Sequence, residues 1–176
     1  TKHNTGGIAG QISSAGVTIK NCHTDASIKT NGGNTAGIVG DMNIGSSITG
    51  CTVSETSTIE GGSKDNNGIH IGGIAGRVMN GNGGKIEDCT CCATITAHYL
   101  DVGGIIGNNY GILTSRCSFS GKIISDYADT DATNEKFSRV GGICGRIIEP
   151  ARVDNCTMTG EIDASAYVGG IVGWME

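Results

Sequence analysis

Apolar and polar positions alternate along this chain in short runs that restart at regular intervals. Cys22, Thr24, Ala26 and Ile28 share one parity, while His23, Asp25, Ser27 and Lys29 take the other. The same alternation returns at Cys89, Cys91, Ala93 and Ile95, at Cys117, Phe119, Gly121 and Ile123, and at Cys156, Met158, Gly160 and Ile162. A strand sends successive side chains to opposite faces, so each run predicts a half-buried strand. The copy Cys51, Val53, Glu55, Ser57, Ile59 holds two extra residues and predicts a local bulge. Helix is opposed by 31 glycines and abundant Thr, Ser and Asn, and no segment keeps a 3.6-residue period.

Between these runs a glycine phrase recurs six times, at 6–10, 36–40, 72–76, 103–107, 141–145 and 169–173. It spells Gly-Gly-Ile-x-Gly, with Ala36 replacing the first glycine of the second copy. Starts lie 28 to 38 residues apart, a period that signals stacked units burying their apolar faces against each other. Each interval also carries an apolar residue three positions before the cysteine: Ile19, Ile48, Ile86 and Val153, with Thr114 as the degenerate copy. A separation of three changes parity, so a bend must intervene. Asn21, Gly50, Asp88 and Asn155 tolerate the left-handed conformation of a tight corner; Arg116 is the misfit.

One coil is therefore expected to hold three strands: one at the glycine phrase, one reaching the corner, and one from cysteine to isoleucine. Coils stacked about 4.8 Å apart give an all-β repeat solenoid, a right-handed parallel β-helix of five to six coils. A β-prism-like solenoid is the alternative, because the glycine phrase makes one wall thin. Residues 1–176 form one solenoid domain without a linker. Pro150 falls in a connection, where a missing N–H does no harm.

A formal charge of −5 without a Lys/Arg run argues against nucleic acid as a partner. Aromatic residues are 4% of the chain, so stacking platforms are scarce. No apolar stretch approaches the roughly 20 residues of a membrane span. Opening on Thr1 reads as a processed product or an excised piece. Of eight cysteines, Cys22, Cys51, Cys89, Cys117 and Cys156 occupy one equivalent position and are expected to form a structural ladder of packed, reduced thiols. Adjacent rungs come within bonding range, yet a ladder of five cannot pair completely. Cys91 faces inward and Cys144 fills the apolar slot of its phrase, whereas Cys92 points outward and is expected to react. Cys89, Cys91 and Cys92 lack metal-ligand spacing, so no metal and no cofactor is implied.

With Gly-Gly-Ile-x-Gly and Asn-Cys corners alternating from Gly6 to Gly173, the chain resembles the GLUG-motif repeat family. That family occurs in bacterial surface and secreted proteins, including adhesin-like chains and the non-catalytic regions of some immunoglobulin A proteases. The resemblance implies an extracellular or cell-surface setting and supplies no catalytic residue. Where the family often has tyrosine after the cysteine, this chain has His23, Thr52, Thr90, Ser118 and Thr157.

Two repeats are lengthened between the cysteine-strand isoleucine and the next phrase, at 61–71 and 125–139. In-register stacking sends both insertions out at the same edge, two rungs apart, and loops on a rigid scaffold are where binding resides. Candidate binding residues are Lys64, Asp65, Asn66 and Asn67 in the first, and Asp126, Tyr127, Asp129, Asp131 and Glu135 in the second. The acidic set lacks the glycine and ligand alternation of an EF-hand calcium loop. Read as a general acid/base pair, it would make a polysaccharide-acting β-helix enzyme, but no Ser/His/Asp or His-Glu-x-x-His arrangement accompanies it. A non-enzymatic adhesin or spacer module is the preferred function. A self-assembling filament subunit is the structural alternative, since a solenoid end presents unpaired strand groups. Expected partners are neighbouring repeats or like chains at the ends, and host or matrix protein or glycan at the loops.

Overall fold

A computed structural model describes residues 3–43, 45–62, 69–79, 83–98, 101–126, 138–165 and 167–176. Every parity switch before a ladder cysteine is a left-handed corner, with φ of 55° at Asn21, 64° at Gly50, 56° at Asp88, 51° at Arg116 and 50° at Asn155. Arg116 holds this unfavoured conformation with its guanidinium forked onto Asp88 of the preceding coil, at 2.7 and 3.0 Å. The neighbouring rung supplies what the residue type lacks.

Each coil contains five strands, not the three expected. In the third coil they are His70–Gly72, Ala75–Met79, Lys85–Glu87, Thr90–Cys91 and Thr94–Ala97, hereafter the first to fifth walls. Their equivalents stack into two six-stranded and three five-stranded sheets, parallel and in register; Ile59, for example, pairs with Ile28 on one side and Ile95 on the other. The result is a right-handed parallel β-helix of five full coils and a two-strand sixth, rather than a β-prism. Two extra bends account for the miscount. Gly73–Ile74 separates the first wall from the second, and Cys92–Ala93 separates the fourth from the fifth. The second bend takes two residues, an even number, so Cys91, Ala93 and Ile95 all still point inward and are fully buried.

The bore is filled by ladders of like residues: Ile38, Ile74, Ile105 and Ile143 from the glycine phrases, and Ile48, Ile86, Ile59, Ile95 and Ile123 from other walls. Burying each such side chain stabilises by roughly 1.5–3 kcal/mol. The second glycine of the phrase is needed because the fourth wall presses against it. A Cβ placed at Gly37, Gly73, Gly104 or Gly142 would lie 2.6, 2.4, 2.3 and 2.3 Å from side-chain atoms of Val53, Cys91, Phe119 and Met158.

Two local departures have physical causes. The extra residues of the second coil form an outward turn at Glu55–Thr56 rather than a bulge, fastened by Ser54 and Thr56 hydroxyls donating to Asp25. The degenerate Thr114 is buried beside Asn109, whose Nδ2 donates to its hydroxyl and to Ile112 O, both at 3.1 Å. Asn109 stands in register with Val78 and Ile147. Coil four thus replaces one apolar pair of the core with a hydrogen-bonded polar pair. Among the described residues, no helix is long and apolar enough to cross a membrane.

Candidate functional site

Both insertions leave the stack at the junction of the fifth and first walls. The first lies between Thr58–Gly61 and His70–Gly72, the second between Lys122–Ser125 and Arg139–Gly141. One coil, carrying Thr94–Ala97 and Asp101–Gly103, separates them, so their roots stand about 10 Å apart along the axis. The outer residues of both insertions are wall rather than loop. Gly61, Ile69, His70, Ile71, Ser125 and Ser138 are all buried, because each belongs to or adjoins a strand paired on both sides. Lys64, Asp65, Asn66, Asn67, Tyr127, Asp129, Asp131 and Glu135 lie outside the described residues.

On the solvent face of this junction a charged file crosses four coils. Lys29 Nζ meets Glu60 Oε1 at 2.7 Å, and His98 lies between Glu60 at 3.9 Å and Asp126 at 2.8 Å. Asp126, a candidate binding residue, is therefore engaged by His98 and stays more than half exposed. Exposed contacts of this kind add little to stability. Just inside, the Ser125 and Ser138 hydroxyls share a buried hydrogen bond of 2.9 Å that ties the root of the second insertion together.

A second polar file is hidden in the crease between the first and second walls. Asp101, with no exposed surface, accepts a hydrogen bond from Asn108 Nδ2 at 2.9 Å. It also lies 2.9 Å from His70 Nδ1 and makes an ion-pair contact with Arg139 Nε at 2.7 Å. Burial alone would push its pKa up; His70, Arg139 and Asn108 together outweigh that and hold the carboxyl below its usual value. In adjacent coils Arg77 forks onto Asp41 at 3.0 and 2.8 Å, and Asn4 donates to the same carboxylate. In the last coil the two walls meet through the Tyr167 and Trp174 rings, 4.7 Å apart and edge-on. Asp41, held by Arg77 and Asn4, and Asp101, held by Asn108 and its ion-pair contact with Arg139, are suited to locking the crease and its glycine-thin backbone contact.

The thiol ladder sits at the corner between the third and fourth walls. Cys51, Cys89 and Cys117 are buried and Cys22 and Cys156 partly so. The backbone N–H of Cys22 donates to Cys51 Sγ, and that of Cys117 to Cys156 Sγ, each at 3.4 Å. Cys92 lies on the outside, half-buried, and accepts from Ser120 Oγ at 3.2 Å. It lines an open groove of about 450 Å³ with Lys122, Thr159 and Glu161. Among the described residues, no group of three or more His, Cys, Asp and Glu side chains is arranged to hold a metal ion.

The charged files escaped the sequence reading, although a signal was present. Asn34, His70, Asp101 and Arg139 each stand two places before a glycine phrase, and Asp41, Arg77, Asn108 and Arg146 stand one place after it. Read down these columns, acid and base meet on neighbouring rungs.

No family model matches the chain, and no solved structure matches it. It is similar to halomucin of Haloquadratum walsbyi (strain DSM 16790 / HBSQ001), 24% identical over 128 residues that cover 68% of this chain and 1% of halomucin. The chain thus corresponds to a very small part of that protein.

Proposed function

We propose that this chain is a segment of an extracellular, non-enzymatic repeat rod, an adhesin or spacer module of GLUG type that presents a binding edge. The observation that carries the reading is the in-register stack of five coils. It brings the roots of two insertions, two rungs apart in the stack, to one edge, backed by a rigid, cross-braced crease. Similarity to 1% of a long protein named as a mucin supports a scaffold segment within a larger chain at the cell surface. The paired state of Asp126, Asp101 and Asp41 supports a role other than acid/base catalysis.

The test replaces residues 63–68 and 127–137 with short glycine-containing turns and compares both proteins on an array of polysaccharides and matrix proteins. Binding by the parent, and its loss in a variant with an unchanged melting transition, is the expected result. Equal binding by both proteins, or cleavage of any arrayed glycan, would overturn the reading.

A second reading, self-association into a filament, rests on the two coil faces. Ile8 and Val17 are 45% and 37% exposed at one, and Val168, Ile171 and Met175 are 46%, 38% and 72% exposed at the other. Another coil or a second copy would cover them, and strand addition would pair the open backbone groups. Light scattering across a concentration series separates the two: a constant monomer mass removes the filament.

A further inference from the structure

We propose that Cys156 and Cys117 form a peroxide-oxidisable pair, in which Cys156 is the attacking thiol and Cys117 the resolving one. This goes beyond the scaffold role and does not depend on what the insert edge binds.

The register permits this pair, and access and surroundings single it out. The two cysteines occupy one rung position, flanked by paired residues on both sides: Ser115 opposite Asp154, and Ser118 opposite Thr157. Neighbouring parallel strands lie about 4.8 Å apart, inside the range of Cα separations that a disulfide spans. Closure therefore needs side-chain rotation and no change of register. Access decides which member reacts first. Cys51, Cys89, Cys91 and Cys144 have no exposed surface and Cys117 has 1%, whereas Cys156 is partly exposed.

The surroundings of Cys156 favour its thiolate. The Cys117 amide N–H points at its sulfur from 3.4 Å. The neighbouring Cys117 thiol, ahead of the opposing effect of burial, brings Cys156 down to about 7. Cys117 is pushed the other way, by the neighbouring Cys156 and Cys89 thiols and by burial, and its thiol donates to Ser115 O at 3.3 Å. Peroxide attack requires a thiolate that solvent can reach, and disulfide closure requires a second sulfur within bonding range.

The other partly exposed cysteines differ. Cys92 has Ser120, not a thiol, as its neighbour on the next rung. Beside Cys22 the pattern is reversed: the Cys22 amide N–H donates to the buried Cys51 sulfur at 3.4 Å, and the accessible thiol gives its own proton towards Lys20 O.

The chemistry balances in two steps. The Cys156 thiolate attacks the peroxide O–O bond; an S–O bond forms, the O–O bond breaks, and the departing oxygen takes a proton to leave as water or alcohol. The Cys117 sulfur then attacks the Cys156 sulfenic acid; the S–S bond forms, the S–O bond breaks, and the Cys117 proton leaves with the hydroxyl as water. The sulfur pair loses two electrons and the peroxide gains them. The product staples coil four to coil five.

The experiment treats the reduced full chain with hydrogen peroxide and maps tryptic peptides under acid quench. Cleavage after Arg116, Lys122 and Arg152 puts Cys117 alone in 117–122 and Cys156 alone in 153–176. The expected product is these two peptides joined, with an intact mass about 2 Da below the reduced protein. Its rate should fall about tenfold per pH unit well below 7, as the thiolate fraction does. Cys117→Ser should leave Cys156 as a sulfenic acid that dimedone traps, and Cys156→Ser should leave Cys117 reduced. Both serine variants must keep the parent's circular dichroism spectrum; the parent's own peptide map tests the pairing independently of them. Oxidation confined to Cys92, linkage of Cys22 to Cys51 with 117 and 156 still thiols, or oxidation of 117 and 156 only in denaturant would each overturn the proposal.

Discussion

Asp101→Asn removes a charge from the most enclosed ionic contact among the described residues while keeping the side chain's size. Asp101 is fully buried, and the side chains of His70 and Arg139 that face it are 11% and 18% exposed. Two opposite charges about 4 Å apart interact by roughly 4 kcal/mol at an effective dielectric of 20. Desolvation offsets much of that in the intact file, but breaking a buried pair leaves the surviving charge stranded, at a typical cost of about 3–5 kcal/mol. For a domain of this size each kcal/mol lowers the melting temperature by about 2–4 °C, so a drop of roughly 10 °C is expected at neutral pH. Adding Arg139→Met removes the stranded charge and should recover about half of the loss. The dependence on pH has a definite sign. Asp101 titrates below its usual value when folded, so its contribution is complete above the unfolded value of about 3.9 and is lost as pH falls through the folded value. The gap between parent and variant must therefore narrow in acid. Denaturant melts from pH 7 to pH 3 measure this; a cost under about 1 kcal/mol at pH 7, or a gap that widens in acid, would refute the buried pair as the lock of the crease.

Gly104→Ala puts a Cβ 2.2 Å from Gly142 O and 2.3 Å from Phe119 Cγ; overpacking of about 1–3 kcal/mol is expected in a urea melt. Gly170→Ala, at the same phrase position with nothing within 4 Å, should melt like the parent. Asn155→Val forces a β-branched residue to φ 50° and should lose about 1–2 kcal/mol, whereas Asn155→Gly should be close to neutral by the same assay. Asn109→Val leaves the Thr114 hydroxyl and Ile112 N–H without their partner, costing about 1–3 kcal/mol. Adding Thr114→Ile should return part of that, since it rebuilds the apolar pair of the other coils.

Periodicity made the stacking direction, the thiol ladder and the inward rows legible, because like residues recur wherever every coil faces the same neighbour. The corner was legible too: a spacing of three cannot keep two residues inward without a turn, and positive φ at Asn21, Gly50, Asp88, Arg116 and Asn155 bears this out. Bends that consume an even number of residues were not. Cys92 and Ala93 turn the chain between two walls yet leave the alternation intact, so five walls were counted as three. The crease escaped for the opposite reason. Its columns vary in residue type from coil to coil, since each rung is matched to the one beside it, and only a search for complementary neighbours would have paired Asp41 with Arg77 or Asp101 with Arg139. Thr114 looked like simple degeneracy because its partner Asn109 stands in another strand of the same coil.

In-register stacking is tested most directly by one distance across the whole stack. His23 and Thr157 are the outermost rungs of the fourth wall, with Thr52, Thr90 and Ser118 between them. Spin labels attached at these two sites through a non-cysteine handle should give a narrow distribution near 19 Å, four strand spacings of about 4.8 Å. A broad distribution, or a mean beyond about 30 Å, cannot be reconciled with coils stacked at that spacing and would contradict the β-helix itself.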